Sequence, residues 1–169
     1  MDVSLVDFFI RYYIPPMVAN AMPVFIRYGR PIDGGRRLWD GKRLFGDGKT
    51  WEGLLTGVMG GYLASITVSA YIGSILFFYK PFIASIAGLL GDILGSFIKR
   101  RLGIERGEPL PIIDQTDFIL ASTTVYILFN ETIFLEKPLY ILYSILVVIL
   151  LHLSTNYVAY RLGLKKKPY

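Results

Sequence analysis

One stretch, Gly91 to Asp117, gathers three aspartates and a cluster of cations. Asp92 opens it from inside an apolar run, and on a helix Asp92, Ser96 and Lys99 fall at i, i+4 and i+7, on one face. Arg100 and Arg101 follow directly, then a polar loop, then Asp114 and Asp117 where the next apolar run begins. A carboxylate within an apolar helix is costly and marks a functional site by default. One acid on a helix, two acids at the start of the next and cations between them can hold Mg²⁺ and a polyphosphate together. The plainer alternative makes Lys99, Arg100 and Arg101 a membrane-surface anchor and Asp92 a polar group satisfied by packing.

A second polar stretch, residues 26–50, carries seven cations: Arg27, Arg30, Arg36, Arg37, Lys42, Arg43 and Lys49. It ends Gly46-Asp47-Gly48-Lys49-Thr50 and runs straight into an apolar segment. A glycine-rich turn, a lysine and a hydroxyl at a helix N-terminus suit phosphate, because free N–H groups and the helix dipole point there. Lys42 and Arg43 are further candidate phosphate partners, with a solvated loop as the alternative. The run is not a Walker A loop: Arg43 stands where that motif needs glycine, and no strand precedes it. Asp33-Gly34 and Asp40-Gly41 lack the Ala-Arg and the later paired aspartates of a CDP-alcohol phosphotransferase.

The elements that must position these residues read as membrane helices. The chain is 53% hydrophobic with mean hydropathy +0.48, above the norm for a soluble domain. The expected fold is all-α, one integral-membrane domain over residues 1–169, with five transmembrane helices. The spans fall at about 5–25, 51–78, 82–98, 116–135 and 139–162, with long loops at 26–50 and 99–115. Pro15-Pro16 should kink the first span, and Asp7 and Arg11 should pair across one turn. Gly53, Gly57 and Gly61 read as a packing face, and Gly88, Gly91 and Gly95 as a place where a neighbouring helix or a nucleotide comes close. Tyr79-Lys80-Pro81 and Glu136-Lys137-Pro138 read as tight outer turns, Asn130 and Glu131 as interface residues, and His152 with Asn156 as interhelical hydrogen-bonding groups.

Fifteen of the eighteen Lys/Arg fall in the two long loops or at the C-terminal end. The positive-inside rule then makes those parts cytoplasmic and puts the N-terminus outside. Both phosphate-binding candidates land on the same face as the carboxylates. This distribution also assigns the +5 charge to topology rather than to nucleic acid. There are no cysteines, hence no disulfide or thiol chemistry, and the single histidine, His152, lies in the last apolar run. A histidine metal site or a Ser–His pair on the loops is therefore excluded. Asp2 and Asp7 stand where a cleavable signal would be basic.

The run Gly91-Asp92, Ser96, Lys99-Arg100, then Leu110-Pro111, then Asp114-Gln115-Thr116-Asp117 resembles the signature of integral-membrane CTP-dependent cytidylyltransferases, the CDP-diacylglycerol synthases. Glu105-Arg106 replaces the usual Lys-Asp of the bacterial members, and Pro111-Ile112-Ile113 replaces their Gly-His-Gly-Gly. Together with the 26–50 loop, the compact chain is similar to the archaeal branch of the family, the CDP-archaeol synthases. That resemblance implies attack by a membrane lipid phosphate on the α-phosphorus of CTP, with pyrophosphate leaving. It implies an isoprenoid diether glycerol phosphate, 2,3-bis-O-geranylgeranylglycerol 1-phosphate, as acceptor. Asp92, Asp114 and Asp117 would hold one or two Mg²⁺. Lys99, Arg100 and Lys49 would contact phosphates, Gly46, Gly48 and Thr50 would shape the nucleotide pocket, and Asn20, with Pro23, would border it. Monomer and homodimer both stay open. So do a CTP-dependent polyprenol kinase, with Asp114 or Asp117 as base, an ion-coupled transporter built on Asp92, and a structural membrane subunit.

Overall fold

A computed structural model describes residues 3–105, 108, 110 and 113–161, with the side chains of 155, 156 and 159 excepted. Arg106, Pro111, Ile112, the Asn156 side chain, the end of the last expected span and the lysine-rich tail lie outside the described residues. The described chain is all helical, with no strand. It comprises α1 Leu5–Tyr12, α2 Ile14–Ala21, α3 Trp51–Ile72, α4 Tyr79–Arg101, α5 Ile113–Leu128, α6 Ile133–Glu136 and α7 Pro138–Arg161.

The first expected span is broken as its prolines require. Pro15 and Pro16 sit in the first turn of α2, where a missing N–H costs least. A 3₁₀ turn, Met22–Phe25, then ends it. Asp7 and Arg11 pair at 2.9 Å. The boundary between the second and third spans moves. α3 stops at Gly73, whose φ of 73° is left-handed and free of strain for glycine. The turn between α3 and α4 is therefore 73–78, and Tyr79-Lys80-Pro81 is the first turn of α4 rather than a loop. α4 also runs on to Arg101, and its 23 residues make it about 35 Å long. α5 starts earlier than expected, at Ile113, and ends at Leu128, because Asn130 turns the chain with a φ of 55°.

Among the described residues two segments are long and apolar enough to cross a membrane, Trp51–Ile72 and Ile75–Arg101, and the shorter Ile14–Phe25 and Pro138–Ser154 are also apolar. Leu55, Leu63, Leu90, Leu94 and Leu150 all stand exposed on these helices. So many exposed apolar side chains along these helices suit a hydrocarbon solvent, not water.

Glycines set the helix spacing. A Cβ on Gly57 would meet Leu89 and the Ala19 carbonyl at under 3 Å, and one on Gly61 would meet Ser85. α3 therefore lies directly on α2 and α4. Gly91 takes the Asp117 carbonyl and Ala121 in the same way, so the close neighbour of this face is α5. α4 and α5 form the most extensive helix contact of the fold. At one end of this helix pair Phe8, Tyr12, Tyr13, Tyr126 and Phe134 form a buried aromatic nucleus, with Tyr12 and Tyr126 edge-on at 4.9 Å. Glu131 accepts a 2.7 Å bond from the Tyr12 hydroxyl and pairs with Lys80 beside that nucleus. The opposite ends of α4 and α5 carry the site.

Candidate functional site

The 26–50 loop is built around Asp33, whose side chain is fully buried. It accepts hydrogen bonds from Arg43 Nη2 at 2.6 Å and from the backbone N–H groups of Gly35, Phe45 and Gly46, each at 3.0 Å. Burial alone pushes this carboxyl up, but Arg43 and the three N–H donors outweigh it and hold it well below the usual carboxylate range. Sequence reasoning set Asp33-Gly34 aside. The signal was there in Asp33-Gly34-Gly35: an aspartate whose side chain folds back on a chain turned by two left-handed glycines, φ 54° and 83°.

The loop is then fastened to the end of α4. Arg101 donates to Asp40 Oδ1 at 2.6 Å and to the carbonyls of Lys42 and Arg43, and Lys42 Nζ donates back to the Arg101 carbonyl at 3.0 Å. Lys42 and Arg43, expected at phosphates, thus hold the loop together. Thr50 caps α3 by accepting from Gly53 N–H at 3.1 Å. It faces a small void of about 40 Å³ shared with Lys49 and Asp92.

Beneath the loop lies a cavity of about 470 Å³. Of the thirteen residues singled out from sequence, ten line it, and only Lys42, Arg43 and Thr50 do not. Gly46, Gly48 and Lys49 come from the loop, Asp92, Ser96, Lys99 and Arg100 from α4, Asp114 and Asp117 from α5, and Asn20 from α2. An apolar rim of Pro23, Val24 and Ile26 completes one side. His152 of α7 also lines the cavity; its place on an apolar helix gave no sign of which way it faces.

Two ion pairs cross this cavity. Lys49, presented by the Gly46–Thr50 turn, pairs with Asp92, and Lys99 pairs with Asp114 at 2.8 Å. Each pair is partly open to the cavity, at 23% and 26% side-chain exposure for the first and 13% and 26% for the second. The second pair joins the basic last turn of α4 to the acidic first turn of α5, charges that each helix dipole favours where they stand. Leu110 N–H also donates to Asp114 Oδ2 at 2.9 Å. Asp117 is held against α4: its Oδ2 occupies the space a Cβ on Gly95 would need. Arg100 Nε is buried without a hydrogen-bond partner, a donor suited to a phosphate oxygen.

The donors fit Mg²⁺ in a specific sense. Among the described residues no three carboxylates converge into a metal cage. Mg²⁺, however, is held by one or two carboxylates with substrate phosphates and water completing the shell. Asp92, Asp114 and Asp117, on one cavity shared with Lys49, Lys99 and Arg100, meet that requirement.

A family model described as CarS-like, CDP-archaeol synthase, matches residues 3–169. The chain is 47% identical over 166 residues to the CDP-archaeol synthase of Staphylothermus marinus, covering 98% of this chain and 94% of that one. It is 40% identical to the one of Pyrobaculum aerophilum over the full length of both. A solved structure described as an intramembrane enzyme for archaeal membrane lipids biosynthesis superposes with a TM-score of 0.82 at 40% identity, covering 90% of this chain and 94% of that one. With near-complete coverage by relatives of this identity, the chain belongs to the CDP-archaeol synthase family.

Proposed function

We propose that this chain is a membrane CTP:lipid-phosphate cytidylyltransferase that forms CDP-archaeol from CTP and an unsaturated diether glycerol phosphate carrying two geranylgeranyl chains. The observation that carries the reading is the cavity in which Lys49, Lys99 and Arg100 meet Asp92, Asp114 and Asp117 at one end of apolar helices. Lys99, Arg100 and Lys49 bind the triphosphate, and Gly46 and Gly48 let backbone approach it. Asp92, Asp114 and Asp117 hold one or two Mg²⁺, which supply charge neutralisation of the phosphates. The acceptor's phosphate oxygen forms the new bond to the α-phosphorus, the α–β anhydride bond breaks, and pyrophosphate carries away the electron pair. A lipid phosphate is largely ionised at neutral pH, with a second pKa of roughly 6. No residue need remove a proton.

Five spans, a cytoplasmic site and an outer N-terminus accompany this reading, supported by the distribution of Lys and Arg. Purified protein given Mg²⁺, the diether phosphate and CTP labelled separately at the α- and γ-phosphates tests it. Label from the α position should enter lipid with pyrophosphate release. Label from the γ position would make the chain a lipid kinase instead. Asp92→Asn should remove transfer while leaving a folded, membrane-inserted protein. Wild-type turnover in that variant at saturating Mg²⁺ would remove Asp92 from the metal site.

A further inference from the structure

Resting on that reading, we infer that Lys49 and Lys99 are resident counter-ions of the cavity, exchanged for the divalent cation when the triphosphate arrives. Metal then binds together with nucleotide and not before it. The observation is that two of the three cavity carboxylates are already bonded to an ammonium group, Asp92 to Lys49 and Asp114 to Lys99. The two lysines reach them from different elements, the loop and the end of α4.

Charge arithmetic gives the exchange its direction. Three carboxylates, Asp92, Asp114 and Asp117, face three cations, Lys49, Lys99 and Arg100, so the formal charges of the cavity cancel without a metal. A divalent cation entering alone must push an ammonium off its carboxylate. It leaves that ammonium in a confined space beside Arg100, with an excess of two positive charges. Removing a partner from a partly desolvated pair is the costly event. A triphosphate reverses the balance, because its oxygens receive the freed ammonium groups while the carboxylates turn to the metal. Each lysine therefore has two partners in sequence, a carboxylate in the resting site and a phosphate in the loaded one. A stem of four rotatable carbons gives a lysine that reach, where a planar guanidinium would be fixed. The two positive charges also keep stray divalent ions out of the resting site.

Mn²⁺ is the probe, its binding followed by electron paramagnetic resonance on the whole protein in detergent. Without nucleotide, Lys49→Gln should bind Mn²⁺ roughly fivefold to tenfold tighter than wild type, because Asp92 has lost its internal cation. The same variant should bind CTP more weakly, since a phosphate contact is gone. Lys49→Arg, which keeps the charge, should retain the weak Mn²⁺ binding, and Lys99→Gln should repeat the pattern through Asp114. Opposite signs for metal and nucleotide in one variant separate exchange from simple structural damage, which would weaken both. In wild type, after correction for Mn–CTP formed in buffer, CTP should tighten Mn²⁺ binding. Lys49→Gln and Lys99→Gln variants that gain no Mn²⁺ affinity, or wild-type Mn²⁺ binding indifferent to CTP, would overturn the exchange. α-Phosphate transfer by wild type in those same preparations would leave the cytidylyltransferase reading standing. Failure of wild type to move the α-label would sink that reading whatever Mn²⁺ does.

Discussion

Asp33 lies outside the cavity, yet the geometry makes it decisive for the loop that roofs it. Asp33→Asn leaves one acceptor oxygen where two served five donor groups. If the amide oxygen takes the Oδ2 position, Arg43 Nη2 and Gly35 N–H lose their acceptor. If it takes the Oδ1 position, Arg43 Nε and the N–H groups of Phe45 and Gly46 face an amide that can only donate. In either case the Arg43 guanidinium, itself only 20% exposed, loses its buried counter-charge. Breaking such a pair by removing one partner costs about 3 kcal/mol, which raises the open population of the loop roughly 100-fold. Hydrogen exchange of residues 33–46 read by mass spectrometry reports that population directly. The amides of Gly35, Phe45 and Gly46 should lose protection together, by about that factor. Gly46 is the first residue of the turn that presents Lys49, so transfer should fall with protection. A double-mutant cycle with Arg43→Met should be strongly non-additive. Unchanged protection in Asp33→Asn would refute the reasoning, because it would mean that the loop is held by Arg101 alone.

Other expectations follow from the same geometry. Because the folded state holds the Asp33 carboxyl below its unfolded value of about 3.9, its contribution is fully present above about pH 4. It is lost only as pH falls further, through the lower folded value, so loop protection corrected for intrinsic exchange should stay level from pH 7 to about 4 and decline below. Gly95→Ala places a methyl group where Asp117 Oδ2 sits and should lower transfer by roughly 100-fold through misplacement of that carboxylate, with gel-filtration behaviour unchanged; full activity would mean that Asp117 has no fixed position. Thr50→Ala should cost about 1 kcal/mol of thermal stability as a lost helix cap and leave the KM for CTP nearly unchanged, whereas a large rise in KM would return Thr50 to the nucleotide site.

What the sequence disclosed, and what it hid, divides along a physical line. Asp92, Ser96 and Lys99 were legible because helical spacing alone fixes a face, and ten of the thirteen expected residues do line one cavity. Lys42 and Arg43 were not legible, because a sequence shows charge but not the backbone carbonyls and the buried Asp33 that claim it. The turn before α4 moved for a related reason. Pro81 reads as a breaker, but a helix tolerates proline in its first turn, and the actual stop is the left-handed Gly73. Glu131 and His152 show the same limit on apolar helices. Rotation about the helix axis is set by packing against neighbours, so a lone polar residue does not announce whether it meets a lysine, a cavity or lipid.

Pro23, Val24 and Ile26 line the cavity together with its charged residues, and Val24 is 78% exposed. If the acceptor enters across these three residues, the two substrates are counted in different dimensions. CTP arrives from a volume, at a concentration in moles per litre. The lipid phosphate arrives from a plane, at a surface density that does not change when the suspension is diluted. Turnover would then follow the mole fraction of acceptor among the surrounding lipids or detergent. Adding inert detergent would act as a competitor by dilution alone, without occupying the site.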